Sequence, residues 1–314
     1  MKQAVLLDAD TLPNTNWSAL SALCHLQSFG TTAPELVIPR LLDADIVISN
    51  KVLLTAEILQ QLPKLQLICV AATGTNNVDI QAAKSLGITV CNVRDYATHA
   101  VSQHAIALLL ALSNQIVSNA RAIAGGEWSE SPIFCLLKHP IRQLHGLTMT
   151  IIGFGSLGQA TAQLAQAFGM RICIAERPDA EVVREGRVPF NDALAKADVV
   201  SLHCPAVGSG FLIGATELSL LKPTALLVNT ARGALIDPLA LAAALRSGRI
   251  AGAALDVLTV EPPKASDVLL AQDIPNLLLS PHVAWASADA MQNLVDQVIE
   301  NIHGFINQQP IRTC

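Results

Sequence analysis

The sequence predicts an α/β fold with two doubly wound parallel-sheet domains. Three observations carry this expectation. Short apolar runs of strand length alternate with helix-like segments along the whole chain, the pattern of parallel sheets covered by helices. One of those runs, residues 148–152, leads into Gly153-Phe-Gly-Ser-Leu-Gly158 and then into a helical segment. The 314 residues are 51% hydrophobic and 14% charged, enough for two cores by the length prior.

Strands are expected at residues 4–7, 45–49, 66–70 and 88–91, with helices around 17–24, 55–61 and 79–86. This first unit has no glycine fingerprint and reads as the smaller, flavodoxin-like domain. Its loop 71–79, Ala-Ala-Thr-Gly-Thr-Asn-Asn-Val-Asp, follows a strand, where α/β sheets bind ligands. Two readings stay open there. Gly74 could let backbone N–H groups face an anion, or the loop is a plain connection with Asp79 as a helix cap.

Residues 96–121 read as one long helix, with Val101, Ala105, Leu108, Leu109, Leu112 and Ile116 at helical spacing. Trp128 follows, either packed on its own domain or serving as an interface anchor. Next comes the glycine motif. Gly153 permits the tight turn, Gly155 lets backbone approach a pyrophosphate, and Gly158 lets helix and strand pack closely. Ser156 and Leu157 open the helix, whose unpaired N–H groups suit phosphate. Glu176 closes the next strand about 18 positions past Gly158, where an acid can accept ribose hydroxyls. These features predict a Rossmann-type domain. Glu176 favours NAD over NADP, although Arg177 beside it could accept a 2′-phosphate.

Further strands are expected at 198–202, 225–228, 250–256 and 277–279, each ending in polar or special residues. The last helix, 288–306, is amphipathic and is expected to return to the first unit. That gives a discontinuous substrate domain, 1–98 plus 287–314, around a nucleotide domain at 99–286.

Arg232, Glu261 and His282 stand after successive late strands. Singly, each has a bland reading: a turn cation, a solvated loop acid, a core histidine. Together they suit hydride transfer to a 2-keto acid. Arginine holds a carboxylate and polarises a carbonyl. Histidine gains and loses a proton near neutral pH, and a neighbouring carboxylate orients the ring and stabilises imidazolium. Such proton transfer contributes about 10²–10⁴ in rate.

The net charge of −5 offers no basic face for nucleic acid. No apolar run nears the roughly 20 residues of a membrane helix, and the acids of the N-terminus come too early for a secretory leader. Seven scattered cysteines without metal spacing read as reduced thiols of a cytoplasmic protein, with no metal site.

The motifs at 72–79, 153–158, Leu202–Pro205, Val228–Gly233, 254–257, Glu261-Pro262 and Ser280–Trp285 resemble the D-isomer-specific 2-hydroxyacid dehydrogenase family over nearly the full length. The likeness is nearest to its glycerate dehydrogenase/hydroxypyruvate reductase branch. The resemblance implies an NAD-dependent reductase of a small 2-keto acid, hydroxypyruvate or glyoxylate. It implies Arg232 as substrate-binding and Glu261 with His282 as the acid–base pair. It also implies cofactor contacts at Ser156, Leu157, Cys204, Pro205, Thr230 and Ala231, with Asp256 on the nicotinamide carboxamide. Backbone at Thr73 and Gly74 would hold the substrate carboxylate, and a homodimer would form through the long helix and the Trp128 arm. The chain departs from the family in Ser102-Gln103 before His104, where Ala-Glu is common, and in Glu176 for the commoner Asp. No regulatory domain is expected after the last helix. Two other readings remain: a phosphite- or formate-type dehydrogenase, with Glu261 arguing against formate, and an NAD(H)-sensing corepressor-like protein.

Overall fold

The computed structural model describes every residue except 207 and 209. The chain packs as two compact units, Met1–Ala97 with Ala286–Cys314, and Thr98–Trp285.

The first unit opens with β1 (Lys2–Leu6), β2 (Cys24–Ser28), α1 (Val37–Leu41), β3 (Ile46–Ser49), α2 (Ala56–Leu59), β4 (Leu67–Val70), α3 (Ile80–Ser85) and β5 (Thr89–Cys91). Its five strands run parallel in the order β2-β1-β3-β4-β5. Every residue of β3 and β4 is buried, as strands covered on both faces must be. One expectation fails here. Residues 17–24 are not a helix: a 3₁₀ turn spans Ser18–Ala22, and the chain then enters β2. That strand lies at the sheet edge, and only its first residue is buried, so it carries no apolar run. Asp79 caps α3, accepting the N–H of Ala82 at 2.9 Å.

The second unit comprises α4 (Thr98–Ser113), α5 (Ile116–Ala124), β6 (Thr148–Ile152), α6 (Ser156–Ala167), β7 (Arg171–Ile174), α7 (Phe190–Lys196), β8 (Val199–Leu202), α8 (Ala215–Leu220), β9 (Leu226–Asn229), α9 (Pro238–Arg246), β10 (Gly252–Leu255) and β11 (Leu277–Leu279). Six parallel strands run in the order β11-β10-β9-β8-β6-β7. The order reverses at β6, so the chain crosses to one side for β7 and to the other for β8. Loops after β6 and β8 therefore part on opposite faces and leave a crevice, the usual ligand position in such sheets. Side chains alternate between two cores. Met149, Ile151, Val228 and Ala254 face α4 and α6, whereas Val200, Leu202, Leu227 and Leu255 join Leu194, Leu218 and Leu241 of α7, α8 and α9.

The single helix expected over 96–121 is two helices, bent by 55° at residues 114–115. Gln115 takes a left-handed conformation, φ 54°. The side chain of Asn114 turns back to the Leu110 carbonyl at 3.1 Å, a local bond that competes with helix continuation. Half of α4 is buried, whereas only Ala122 of α5 is. The two halves thus serve different surroundings, and one straight rod cannot satisfy both. Among the described residues no single helix is long and apolar enough to cross a membrane.

The last helix, α10 (Ala288–Ile306), rejoins the first unit. Ser287 caps it through the N–H of Ala290, and Leu294, Val295, Val298 and Ile302 are fully buried on the β4 side. Asn301, also buried, donates to the Asn92 carbonyl at 2.8 Å, and Thr313 bridges to Cys91.

Candidate functional site

The glycine turn between β6 and α6 is packed to its limit. A Cβ on Gly153 would lie 2.6 Å from the backbone of His203 and Cys204, and one on Gly158 would lie 2.1 Å from the Gly153 carbonyl oxygen. Gly153 also takes φ 94°, which favours glycine. A Cβ on Gly155 would meet nothing within 4 Å, so open space stands before this residue. No side chain caps α6. Helix geometry leaves the N–H groups of Ser156, Leu157 and Gly158 without intrahelical acceptors, a ready anion site. The cradle fits a dinucleotide phosphate.

Across the crevice, His203 and Cys204 leave β8. Burial pushes the His203 imidazole down to about 4, so the ring is neutral. Its Nε2 meets Ser201 Oγ at 2.8 Å, and its buried Nδ1 has no partner. Burial raises the Cys204 thiol, which is therefore protonated and inert. Pro205 is exposed. After β9, Asn229 folds the turn on itself: Oδ1 accepts the Ala231 N–H at 2.9 Å and Nδ2 donates to the Arg232 carbonyl at 2.9 Å. Thr230 Oγ1 is buried without a partner, a polar atom available to a ligand.

Glu176 stands two residues past the end of β7 and is 2% exposed. Both its oxygens are engaged. Arg184 binds them through Nε (2.8 Å) and Nη2, and the N–H groups of Arg177 and Arg184 add 2.9 and 3.2 Å contacts. The Arg184 guanidinium, helped by these N–H groups against the pull of burial, holds the carboxyl well below the usual range.

The Arg232 turn meets the Glu261 segment through backbone, and Glu261 meets His282 through side chains. A Cβ on Gly233 would fall 2.0 Å from the Leu258 carbonyl carbon, so the Arg232 turn lies flat against residues 258–259. The N–H of Leu258 donates to Glu261 Oε1 at 2.8 Å. Glu261 Oε2 in turn lies 2.5 Å from His282 Nδ1. Arg232 is exposed, with Nη1 donating to the Ala231 carbonyl at 2.7 Å.

His282 takes φ 54° on its loop. Asp256 is the reason it can. The 1% exposed Asp256 carboxylate accepts Ser280 Oγ (2.6 Å) before His282, and the N–H groups of Val283 (3.0 Å) and Ala284 (2.8 Å) after it. The His282 N–H itself donates to the Asp256 carbonyl at 2.8 Å, and Trp285 Nε1 donates to the His282 carbonyl at 2.9 Å. From α4, His104 Nε2 lies 3.0 Å from Ser280 Oγ and 3.4 Å from Asp256 Oδ1. Burial pushes the Asp256 carboxyl up, but the bonds from His104, Ser280, Ala284 and Val283 outweigh it and keep the group ionised. His104 and Gly233 carry parts of this arrangement that sequence reasoning left without a role. The Gly after Arg232 and the His on the apolar helix were their only traces.

Thr73 and Gly74 belong to the first unit. Asn92 Nδ2 donates to the Thr73 carbonyl at 2.8 Å, fixing the loop after β4. Among the described residues no three His, Cys, Asp or Glu side chains converge as metal ligands.

Residues 106–284 match the family model described as D-isomer specific 2-hydroxyacid dehydrogenase, NAD binding domain. Glycerate dehydrogenase of Methylorubrum extorquens is 41% identical, covering 98% of both chains. Hydroxypyruvate reductase of Blautia hydrogenotrophica is 34% identical over 94% of each. Among solved structures, the NADPH-dependent glyoxylate/hydroxypyruvate reductase of Sinorhizobium meliloti superposes with a TM-score of 0.84 at 26% identity, covering 100% of this chain and 98% of the other.

Proposed function

The chain belongs to the D-isomer-specific 2-hydroxyacid dehydrogenase family, and on that premise we propose that it reduces hydroxypyruvate or glyoxylate to D-glycerate or glycolate. The names of its relatives support this substrate class. The observation that carries the chemistry is the 2.5 Å contact between His282 Nδ1 and Glu261 Oε2.

A carboxylate on Nδ1 fixes the ring and its tautomer, leaving Nε2 to hold the proton for the substrate oxygen. In the reverse direction the same nitrogen removes it. Glu261 is kept in place by the Leu258 N–H, so the acid cannot swing from the ring without losing a bond. Arg232 supplies a fixed cation for the substrate carboxylate and keto oxygen. Thr73 and Gly74, in the first unit (Met1–Ala97 with Ala286–Cys314), are read as backbone donors to a substrate carboxylate. Gly153, Gly155, Ser156, Leu157 and Gly158 would hold the dinucleotide's phosphates, with Cys204, Pro205, Thr230, Ala231 and Asp256 toward its nicotinamide end. The bound NAD(P)H supplies the hydride.

A homodimer is part of the reading. Trp128, Phe134, Leu137 and Ile141 follow α5 and are 51%, 91%, 79% and 62% exposed, a run of exposed large apolar side chains that a second copy could cover. Seven free cysteines support a cytoplasmic setting.

The test is NAD(P)H consumption with a panel of keto acids. His282→Ala is expected to lower kcat by about 10²–10⁴ with cofactor Kd nearly unchanged. An unchanged kcat would reject His282 as the proton donor. Turnover of phosphite or formate but no keto acid would replace the substrate assignment.

A further inference from the structure

We propose that Arg184 sets how far this chain discriminates NADH from NADPH, by masking the carboxylate that would receive the adenosine ribose and offering its guanidinium to a 2′-phosphate. The inference rests on the NAD(P)H reading above.

A carboxylate has about four lone-pair sites. Those of Glu176 are met by the N–H of Arg177, the N–H of Arg184, and Nε and Nη2 of Arg184. Arg187 Nε stands 3.8 Å away as a further positive neighbour. Nothing remains for two ribose hydroxyls. They can donate to Glu176 only after Arg184 leaves, and that exchange removes the strongest partner of a carboxylate only 2% exposed.

A 2′-phosphate requires no such exchange. The Arg184 side chain is 51% exposed, so it presents one side to Glu176 and another to solvent. A guanidinium has five N–H donors. Two are used on Glu176, and the rest suit phosphate geometry. Arg177 adjoins the same carboxylate in the chain. Asp179, Glu181 and Glu185 share the loop but are exposed, and among the described residues none is ion-paired with these arginines. Within 4 Å of the Glu176 carboxylate stand two cations, Arg184 and Arg187, against its one negative charge, although residues 176–187 carry three Arg against four acids in all; that close-range surplus suits a dianion better than a hydroxyl.

The experiment is titration of the full chain with NADH and with NADPH, read by nicotinamide fluorescence, for the parent, Arg184→Ala and Arg184→Lys. In Arg184→Ala the Kd for NADPH should rise about tenfold or more, the loss of a charge-assisted contact. The Kd for NADH should stay level or fall, because Glu176 is unmasked. Arg184→Lys should recover part of the NADPH affinity. Equal weakening of both nucleotides would overturn the proposal, since Arg184 would then only hold Glu176 in place; so would an unchanged ratio. If the parent bound neither nucleotide, the dehydrogenase reading itself would fall, and this inference with it.

Discussion

His203 is a half-buried neutral base whose Nδ1 is shut off from solvent, and its neutrality links stability to pH. The folded ring titrates at about 4, against about 6.5 in an unfolded chain. Below pH 6.5 the unfolded chain takes up a proton that the native ring refuses. Stability is thus complete above 6.5, falls as pH drops toward 4, and levels off beneath it, a loss of up to about 3 kcal/mol. Thermal melts from pH 7 to 4 should show this slope, and His203→Asn should flatten it. Asp256→Ala should be harsher. It strips the acceptor from Ser280 Oγ and two N–H groups around a left-handed histidine, so kcat should fall at least about tenfold and Tm should drop as well. Glu261 and His282 were legible as candidates, because each stands in a loop after a late strand; that their side chains touch was not. The tie from Asp256 to His282 was not, since it depends on the fold of two loops 24 to 28 residues apart in the chain. Glu176 was legible as an acid at the right distance, but its Arg184 partner sits in an irregular loop with no periodicity to place it.

Strands and helices show the same division. Buried parallel strands announce themselves as apolar runs, so β3, β4, β6 and β8 were plain. The edge strand β2 lacks that run, and the break between α4 and α5 hinges on one left-handed glutamine that periodicity does not register. The turn after β9 carries a specific expectation. Gly233→Ala would drive a Cβ to 2.0 Å from the Leu258 carbonyl carbon, so the turn must move away from the segment that holds Glu261. Catalytic efficiency should fall by about tenfold or more, since misplacement of about 1 Å is enough, while far-ultraviolet circular dichroism stays unchanged. Retained kcat/KM would show that the packing of Gly233 does not position the Arg232 turn.

Across the entire chain, the exposed apolar stretch after α5 makes association measurable. Light scattering is expected to give twice the chain mass, and Phe134→Glu with Leu137→Glu should shift it toward a single chain. A monomeric parent would remove the dimer from the proposed function. The packing of α10 on the first unit has its reason in amphipathicity, because an apolar stripe of four fully buried side chains needs a sheet to cover. That return has a consequence for biosynthesis. A ribosome delivers residues 98–285 before residues 286–314, so the nucleotide-cradling unit can fold while its companion still lacks the helix over β4. The nascent first unit exposes that apolar sheet face until residues 286–314 have been made, an interval in which a chaperone that shields such surfaces would act.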